Sequence, residues 1–475
     1  MVVRTRFAPS PTGFIHVGSV YAAMLDYAFA KKHQGQFVLR IEDTDQKRLV
    51  KGAEERIYQG LEWLGLIPDE SPKHGGPYGP YRQSERLEIY QKYARELVEK
   101  GHAYYCFCSP ERLEKIRQEQ KKKNQVPMYD RCCRRISLAE AQKRLARGER
   151  AVIRMKIPDN EKIVVPDLLR GEIVFDSRMI DDQVLIKSDG FPTYHLAVVV
   201  DDHLMKITHV VRGEEWLPSA PKHVLLYRYF GWRMPVLIHT PTLRNPNKSK
   251  LSKRQGHTSL DWYREQGFLP EALLNFLALL GWSHPEEKEI FSFDEFIKVF
   301  DLKDVSPIGP VFDLKKLEWM NGVYIRQKSD QELIGLLKPF LPQMTPEQIS
   351  QAAPLIKERI RKLIEAADLL EFVWRRVDYD PEFLLQRGVT REQAREMLLK
   401  TKEIIEAVGV DNSEELQQKL LELIARKQWN TGAFFMVFRI AICGKKITPP
   451  IIESLPLLGH QEVLARLSLA LEKLA

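Results

Sequence analysis

Two separate segments of the chain combine residue types that suit the binding of a polyphosphate. In the first segment, Pro9, Pro11 and Gly13 force a stiff turn, which is followed by the hydrogen-bond donor His16 and the small residue Gly18. A strand pattern precedes this turn and a helix pattern follows it, so backbone N–H groups and a helix N-terminus would face a ligand above the strand. For His16 alone an ordinary strand-to-helix connection is the better interpretation, but the combination of turn residues disfavours that alternative.

The second segment is a basic loop at residues 245–256, after a predicted strand. An Asn-Pro pair and a glycine bracket the loop, and Lys250 and Lys253 lie within it. A run of lysines is usually a solvated surface, but lysines on a loop after a parallel strand are well placed to bind phosphate. The first strand–helix turn contains neither a Walker pattern nor GxGxxG, which excludes the usual P-loop and dinucleotide-binding solutions.

Length and composition indicate an ordinary globular protein of several domains. At 475 residues the chain is too long for one hydrophobic core, and about three or four domains are expected. The net charge of +8 is a mild basic excess that fits a polyanionic partner. No apolar stretch reaches the ~20 residues of a membrane span, and the N-terminus lacks a signal-type apolar core. We therefore expect a cytoplasmic protein.

The pattern of elements predicts an open α/β sheet followed by helices. Strands and helices alternate through the first part of the chain, and residues 104–190 interrupt them as an inserted α/β subdomain. After the insertion, the apolar run at residues 191–200 is predicted to resume the sheet as a strand that ends at Asp201 and Asp202. From residue 329 onward the pattern is helical and contains no convincing strand.

Acidic residues follow the second predicted strand, which covers residues 36–41. Glu42, Asp43 and Asp45 would then lie at the ligand-binding edge of the sheet. For Asp43 and Asp45, a role as helix caps is about equally well supported. Glu42 is therefore the preferred ligand-binding residue of the three.

Five short segments, taken in order, resemble one family over essentially the whole chain. The first resembles the first signature of class I aminoacyl-tRNA synthetases, and the lysine-rich loop resembles their second. The other three narrow the resemblance to the glutamyl branch, and the helical pattern from residue 329 onward resembles its bacterial type. The segments are residues 9–19, 250–254, 6–8, 40–45 and 209–216.

The resemblance implies a fold and a division into domains. The expected fold is α/β, a class I synthetase Rossmann-like parallel sheet with an inserted α/β subdomain, followed by an all-helical anticodon-binding region. The expected domains are a catalytic domain in two halves, an acceptor-end-binding insertion with a candidate zinc site, a stem-contact domain and the helical region. Their ranges are 1–103 with 191–256, then 104–190, 257–328 and 329–475.

The resemblance also implies a reaction and a set of site residues. Glutamate and ATP with Mg²⁺ would form glutamyl-adenylate, which is then transferred to the terminal adenosine of tRNA. The catalytic set is His16, Lys250 and Lys253. The ATP-binding set is Pro9, Thr12, His16, Gly18, Ser19, Glu215, Trp216, Leu251, Ser252 and Lys253. The glutamate-binding set is Arg6, Ser10, Glu42, Tyr194 and Arg212, and the tRNA-binding set is Asp45, Arg359 and Arg361.

Two of these assignments have structural alternatives. Arg212 could instead form an ion pair with Glu214 or Glu215. Arg359 and Arg361 fall in a segment at residues 354–365 that reads as a helix with one apolar and one basic side, and a solvated helix face is the more probable interpretation for Arg359.

Four of the five cysteines lie in the insertion, which indicates metal chemistry rather than a secreted disulfide framework. In many family members the second half of the site is Cys-x-His, but the aligned Arg135 stays protonated and cannot bind metal. Cys132 is a soft alternative donor, although adjacent cysteines struggle to face one ion. A cluster of packed thiols that binds no metal is a further alternative. The ligand set that the resemblance favours for one structural Zn²⁺ is Cys106, Cys108, Cys133 and Tyr129.

The implied partners are the tRNA for glutamate, glutamate and ATP, with no membrane and a monomeric state. Charging of the tRNA for glutamine stays open. Two alternative functions fit the sequence less well. A shortened paralogue that glutamylates a tRNA base lacks the helical third present here, and a catalytically silent RNA-binding paralogue would have lost His16 or the loop lysines.

Overall fold

The structure, a computed structural model, describes residues 2–249, 251 and 258–475. The chain divides into two compact units. Unit 1 comprises Met1–Tyr263 and Leu273–Asp313, and unit 2 comprises Arg264–Ala272 and Leu314–Ala475. Among the residues so described, no helix is long and apolar enough to cross a membrane.

Unit 1 is built on parallel strands with helices packed against them, as predicted. The strands are β1 Arg4–Phe7, β2 Gln36–Leu39, β3 Ala103–Cys106, β4 Val152–Met155, β5 Lys162–Asp167, β6 Gly171–Asp176, β7 Val184–Ile186, β8 His209–Gly213 and β9 Val236–Thr240. The helices that begin in this unit or at its boundary are α1 Val17–Lys32, α2 Ala53–Leu64, α3 Leu87–Glu99, α4 Pro110–Lys122, α5 Leu138–Ala146, α6 Tyr194–Leu204, α7 Ala220–Phe230, α8 Leu260–Glu265, α9 Pro270–Ala278 and α10 Phe293–Val299.

The strands pair in the order expected of a sheet whose carboxyl ends share one edge. Strands β1 and β2 are parallel, as are β8 and β9. Arg4 and Thr208 join the two pairs, because the Thr208 N–H donates to the Arg4 carbonyl over 2.9 Å. The hairpin of β5 and β6, from within the predicted insertion, adds to this sheet where Asp167 pairs with Leu237. Strands β3, β4 and β7 form a separate antiparallel sheet.

The strand predicted over residues 191–200 is wrong, because this segment forms helix α6. Residues 196–202 are buried on every side of that helix. A fully buried helix shows no alternation of polar and apolar residues, so its apolar run looks like a buried strand. Its last turn buries Asp201 and Asp202, whose carboxylates accept hydrogen bonds from Arg86 over 2.8 Å and from Arg40 over 2.7 Å.

Unit 2 is helical, and its described residues contain no strand. Side chains begin several helices by capping them; Ser329 and Thr390, for example, each form a capping box with the residue three positions later. The helices are α11 Leu314–Gln327, α12 Asp330–Leu337, α13 Pro346–Ile356, α14 Glu365–Trp374, α15 Arg391–Val408, α16 Ser413–Lys427, α17 Thr431–Cys443, α18 Ile451–Ser454 and α19 His460–Lys473.

The helix predicted over residues 354–365 is interrupted. Helix α13 ends at Ile356, and the segment before α14 is a turn. The Arg361 N–H donates to the Glu365 carboxylate over 2.8 Å, and its carbonyl accepts from the Asn321 amide over 2.6 Å. These side chains replace the helical partners of the backbone, so Arg359 and Arg361 are exposed on a turn instead of a helix face.

Candidate active site

A cavity of about 1150 Å³ lies in unit 1 where β1, β2, β8 and β9 end. Residues that follow each of these strands line it, as expected for an α/β sheet. The sequence-predicted residues that line the cavity are Arg6, Pro9, Ser10, Thr12, His16, Gly18, Ser19, Glu42, Asp45, Tyr194, Arg212, Glu215, Trp216 and Leu251. Three further predicted residues, Lys250, Ser252 and Lys253, lie outside the described residues.

His16 caps the N-terminus of helix α1 with its ring. Its Nδ1 accepts a hydrogen bond from the Gly18 N–H over 3.0 Å, so Nε2 is the nitrogen that carries the proton in the neutral ring. A Cβ at position 18 would lie 3.2 Å from Nδ1, which explains the small residue there. The Val17 N–H donates to the Thr258 carbonyl over 2.8 Å. This hydrogen bond joins Thr258, the first described residue after the basic loop, to the first signature.

Two of the buried arginines near the cavity face carboxylates. Arg6 donates to Asp202 over 3.2 Å, and Arg40 donates to the same Asp202 oxygen over 2.7 Å. Arg40 also donates to Glu42 over 3.0 Å. Burial raises the pKa of Glu42, although the nearby Arg40 and Arg6 act to lower it. Glu42 thus presents a carboxylate with an arginine partner at the cavity wall.

Arg212 differs from Arg6 and Arg40 because neutral groups surround it. Its Nη1 donates to the Tyr194 hydroxyl and to His223 Nδ1, both over 3.1 Å, and its Nε donates to His239 Nε2 over 2.9 Å. Its Nη2 has no hydrogen-bond partner among the described residues. Arg212 is 7% exposed and lines the cavity. An anionic ligand is the natural partner for such a group.

The ion-pair alternative for Arg212 is not observed among the described residues. Glu214 pairs instead with Arg170 over 2.8 Å and accepts from the Thr242 N–H over 2.9 Å. Beyond this pair, Trp216 stacks at a tilt on Tyr194 with ring centroids 4.2 Å apart. An aromatic surface at the cavity mouth suits a flat ring such as a nucleobase.

The cysteine cluster has the donor set of a metal site. The sulfur atoms of Cys106, Cys108 and Cys133 lie within 4.8 Å of one another. The Tyr129 hydroxyl lies 3.3 Å from the Cys106 sulfur and 3.5 Å from the Cys108 sulfur. Three thiols and a phenol at these separations fit one tetrahedral Zn²⁺. Cys132 also lies near the cluster, with its sulfur 3.3 Å from that of Cys108. Its position next to Cys133 in the chain therefore does not keep its sulfur away from the other thiols, as the sequence suggested.

Several residues around the cavity carry no signal in the sequence that would mark them as functional. Asp202 holds Arg6 and Arg40, His223 and His239 contact Arg212, and Asp167 contacts His239. The sequence marks Asp202 only as the end of an apolar run. The others are single polar residues in apolar segments, and a spatial arrangement of this kind cannot be read from their spacing.

The comparisons with known proteins agree with this fold. Residues 2–319 match the family described as tRNA synthetases class I (E and Q), catalytic domain. Residues 332–471 match the anticodon binding domain. The chain belongs to the class I tRNA synthetases of the E and Q group, and it joins a mixed α/β catalytic domain of that class to a helical anticodon-binding domain.

Individual relatives match along their whole length. The chain is 48% identical to the glutamate–tRNA ligase of Acidothermus cellulolyticus over 98% of this chain and 95% of that one. It is 43% identical to the glutamate–tRNA ligase of Dehalococcoides mccartyi over 100% and 98%. The crystal structure of a glutamate tRNA ligase from Elizabethkingia meningosepticum in complex with its amino acid superposes with a TM-score of 0.89 at 38% identity, covering both chains completely.

Proposed function

We propose that the protein is an ATP-dependent ligase that joins glutamate to the 3′-terminal adenosine of tRNA(Glu). The observation that carries this proposal is the environment of Arg212, a buried guanidinium that lines a large cavity and has only neutral hydrogen-bond partners among the described residues. A ligand with a carboxylate side chain would complete that site. The names of the relatives support the same substrate.

Activation of glutamate requires two anions to meet and a pyrophosphate to leave. His16 Nε2 and the N-terminus of α1 would bind the ATP phosphates, and Glu215 and Trp216 would hold the adenine side. Lys250 and Lys253 would neutralise the charge that develops on the leaving pyrophosphate. Mg²⁺ bound with ATP would supply further neutralisation. Leu251 and Ser252 belong to the same proposed ATP site.

Recognition of glutamate uses both ends of the amino acid. Arg212, with Arg6 beside it, would bind the side-chain carboxylate through forked N–H donors. Glu42 would bind the α-ammonium group, and Tyr194 and Ser10 would complete the pocket. Because Arg6 shares Asp202 with Arg40, Arg212 supplies the larger part of the uncompensated positive charge.

The proposal extends to tRNA and to zinc. Asp45, exposed at the cavity rim, would contact the tRNA, and Arg359 and Arg361 on their exposed turn are candidates for anticodon contacts. The insertion would hold one structural Zn²⁺ through Cys106, Cys108 and Cys133. Tyr129 is the proposed fourth ligand, because its hydroxyl lies near two of the three sulfurs. The zinc would fix the local fold of the insertion and take no part in the chemistry.

The proposal also includes the domain ranges given above, a monomeric state and a cytoplasmic location. The test is a charging assay with purified protein, ATP, Mg²⁺ and a tRNA(Glu) transcript, run separately with labelled glutamate, glutamine and aspartate. We expect acid-precipitable product with glutamate and a large preference over the other two. Equal charging with glutamine, or no charging with glutamate, would contradict the proposal. A parallel assay on tRNA(Gln) determines whether that tRNA is also a substrate.

A further inference from the structure

Arg212 stands at one end of a buried chain of hydrogen bonds that begins at Asp167. The Asp167 carboxylate accepts from His239 Nδ1 over 2.7 Å. His239 Nε2 in turn accepts from Arg212 Nε over 2.9 Å. Asp167 is 5% exposed and His239 is not exposed at all. Neither side chain lines the cavity.

The direction of each hydrogen bond in this chain follows from the chemistry of its members. A carboxylate only accepts, so His239 must carry its proton on Nδ1 and present a lone pair at Nε2. Arg212 only donates, which requires that lone pair. His223 obeys the same logic, because its Nδ1 accepts from Arg212 and its Nε2 then donates to His195 Nδ1 over 3.1 Å. Burial lowers the pKa of His239 and His223, which keeps both rings neutral.

Asp167 is itself fixed by the backbone around it. One carboxylate oxygen accepts from the N–H groups of Leu169 and Arg170, both over 3.0 Å, in the turn between β5 and β6. The other oxygen accepts from the His239 N–H over 3.0 Å as well as from its ring. Every member of the chain therefore has a fixed position and proton placement.

We propose that Asp167 and His239 are positioning residues for amino-acid selection, because they fix the Arg212 guanidinium while leaving its positive charge without a protein counter-ion. This inference rests on the proposed function, in which Arg212 binds the side-chain carboxylate of glutamate. A direct carboxylate partner would hold the guanidinium equally well but would compete with the substrate. A neutral imidazole, itself held by Asp167, orients Arg212 without that competition.

The test compares variants that alter the proton placement with variants that preserve it. In Asp167→Asn, the amide oxygen can still serve the Leu169 and Arg170 N–H groups, but the NH₂ then faces His239. The His239 ring would then have to accept at Nδ1 and carry its proton on Nε2, where that proton would face the Arg212 N–H. A wrong histidine tautomer of this kind impairs catalytic triads. His239→Phe keeps a ring and removes both nitrogens, whereas His239→Gln retains one donor and one acceptor.

We expect Asp167→Asn and His239→Phe to raise the KM for glutamate about 10-fold or more, since a misplaced binding group of this kind has such effects. Their KM for ATP should stay within about twofold of wild type, and their preference for glutamate over glutamine should fall. His239→Gln should recover part of the loss. The assay is charging of tRNA(Glu) at varied glutamate or glutamine with saturating ATP, and at varied ATP with saturating glutamate.

Asp182→Asn is the matched control for loss of a buried carboxylate. Asp182 is also fully buried, and it accepts from the Ile157 N–H over 3.1 Å and from the Tyr104 hydroxyl over 2.6 Å. The Asp182→Asn variant should lower the melting temperature as Asp167→Asn does, but it should leave the KM for glutamate unchanged.

The outcomes separate this inference from the proposed function. An unchanged KM for glutamate in both Asp167→Asn and His239→Phe, in a wild-type background that charges glutamate, would overturn the inference alone. The same rise in KM for glutamate in Asp182→Asn would also overturn it, because loss of stability would then explain both. A wild-type protein that does not charge glutamate would overturn both proposals.

Discussion

The two units of the chain treat charge in opposite ways. Unit 1 buries many charged side chains, among them Arg6, Arg40, Arg212, Asp167 and Asp202. In unit 2, Arg466 is the one buried charged residue among those described, and most ion pairs of that unit are exposed. Burial of charge costs free energy unless partners offset it. Unit 1 therefore carries a cost that unit 2 avoids, which suits the recognition of small charged substrates.

The comparison of two buried arginines makes the difference specific. Arg466 donates to the Glu462 carboxylate over 2.7 Å and to the Ile442 carbonyl over 2.7 Å, so its charge is balanced within the protein. Arg212 has only neutral hydrogen-bond partners among the described residues. The charge of a buried arginine beside a carboxylate is offset within the protein, whereas the charge of one without a carboxylate can be offset by a ligand.

The largest effect is expected at the lysine-rich loop of unit 1. Lys253→Ala should lower the rate of adenylate formation by ~100-fold or more, since a cation aimed at developing charge contributes several kcal/mol to the transition state. Binding of tRNA, which depends on many contacts, should remain. Turnover is measured by charging and tRNA binding by filter retention. Near-normal charging by this variant would remove Lys253 from the mechanism.

The arginine comparison predicts opposite phenotypes for two similar substitutions. Arg212→Leu should lower kcat/KM for glutamate by ~100-fold, about 3 kcal/mol, and should affect glutamine less. Arg466→Leu should leave kcat/KM unchanged and lower the free energy of unfolding by about 1 to 2 kcal/mol, because it removes the hydrogen bonds to the Ile442 carbonyl and to Glu462, which keeps Arg376 as a partner. Charging kinetics and denaturant unfolding measure the two effects. Equal losses for glutamate and glutamine in Arg212→Leu would indicate a structural role instead.

The proposed zinc would be a second difference between the units, because its ligands lie in unit 1 and the described residues of unit 2 contain no such cluster. We expect close to one zinc per chain in protein purified without chelator, as measured by elemental analysis. Cys133→Ser should lose the zinc, whereas Cys132→Ser should keep it if Tyr129 is the fourth ligand. Loss of zinc in Cys132→Ser would assign the fourth position to Cys132. Absence of zinc from the parent protein would end the proposal.

The units should also respond differently to acid. Burial lowers the pKa of His195 to about 3 and lowers those of His223 and His239 as well. Unfolding lets these rings bind protons near their ordinary pKa of about 6.5, so their contribution to the stability of unit 1 is fully present above that pH and is lost progressively below it. In unit 2, the arginine partners of Glu462 lower its pKa to about 2.

The Glu462 contribution is present above the ordinary carboxyl pKa and is lost only as the pH falls toward 2. Between pH 6.5 and 5, unit 1 should therefore weaken before unit 2. Hydrogen–deuterium exchange, corrected for the intrinsic rate at each pH, measures opening in the two units separately. Simultaneous weakening of both units would contradict the prediction.

The smallest effect is expected on the exposed surface of unit 2. Arg359→Gln removes a solvated charge from a turn, and we expect near-normal stability. If Arg359 reads the anticodon, the ratio of charging on tRNA(Glu) to charging on tRNA(Gln) should change. The two tRNAs are compared in parallel, with Arg375→Gln as a control at another exposed arginine. An unchanged ratio rejects Arg359 as a reader.

Much of the fold could be predicted because local signals mark it. Strands β1, β2, β8 and β9 end at breakers or acidic residues, and the segments that follow them meet in the cavity as the sheet requires. Helix α6 was missed because its complete burial removes the periodic pattern. The turn at Arg359 was missed because side chains, not breakers, end the helix.

The partners of Arg212 could not be predicted, for a different reason. Asp167 and His239 are 72 positions apart, and His239 and Arg212 are 27 apart. Each is an isolated polar residue at or near the end of a strand, and the pairing of β9 with both β5 and β8 brings them together. Long-range contacts of this kind depend on the sheet order, which local sequence patterns do not specify.

The most direct test of the central claim is ATP–pyrophosphate exchange by the purified protein, with and without tRNA(Glu). The account predicts exchange that depends on glutamate, is far weaker with glutamine, and requires tRNA(Glu), as the resemblance to the glutamyl branch implies. It also predicts that Arg212→Leu removes most of the preference for glutamate. Exchange that proceeds equally with glutamine in the wild-type protein would contradict the claim that an unbalanced buried arginine selects the substrate.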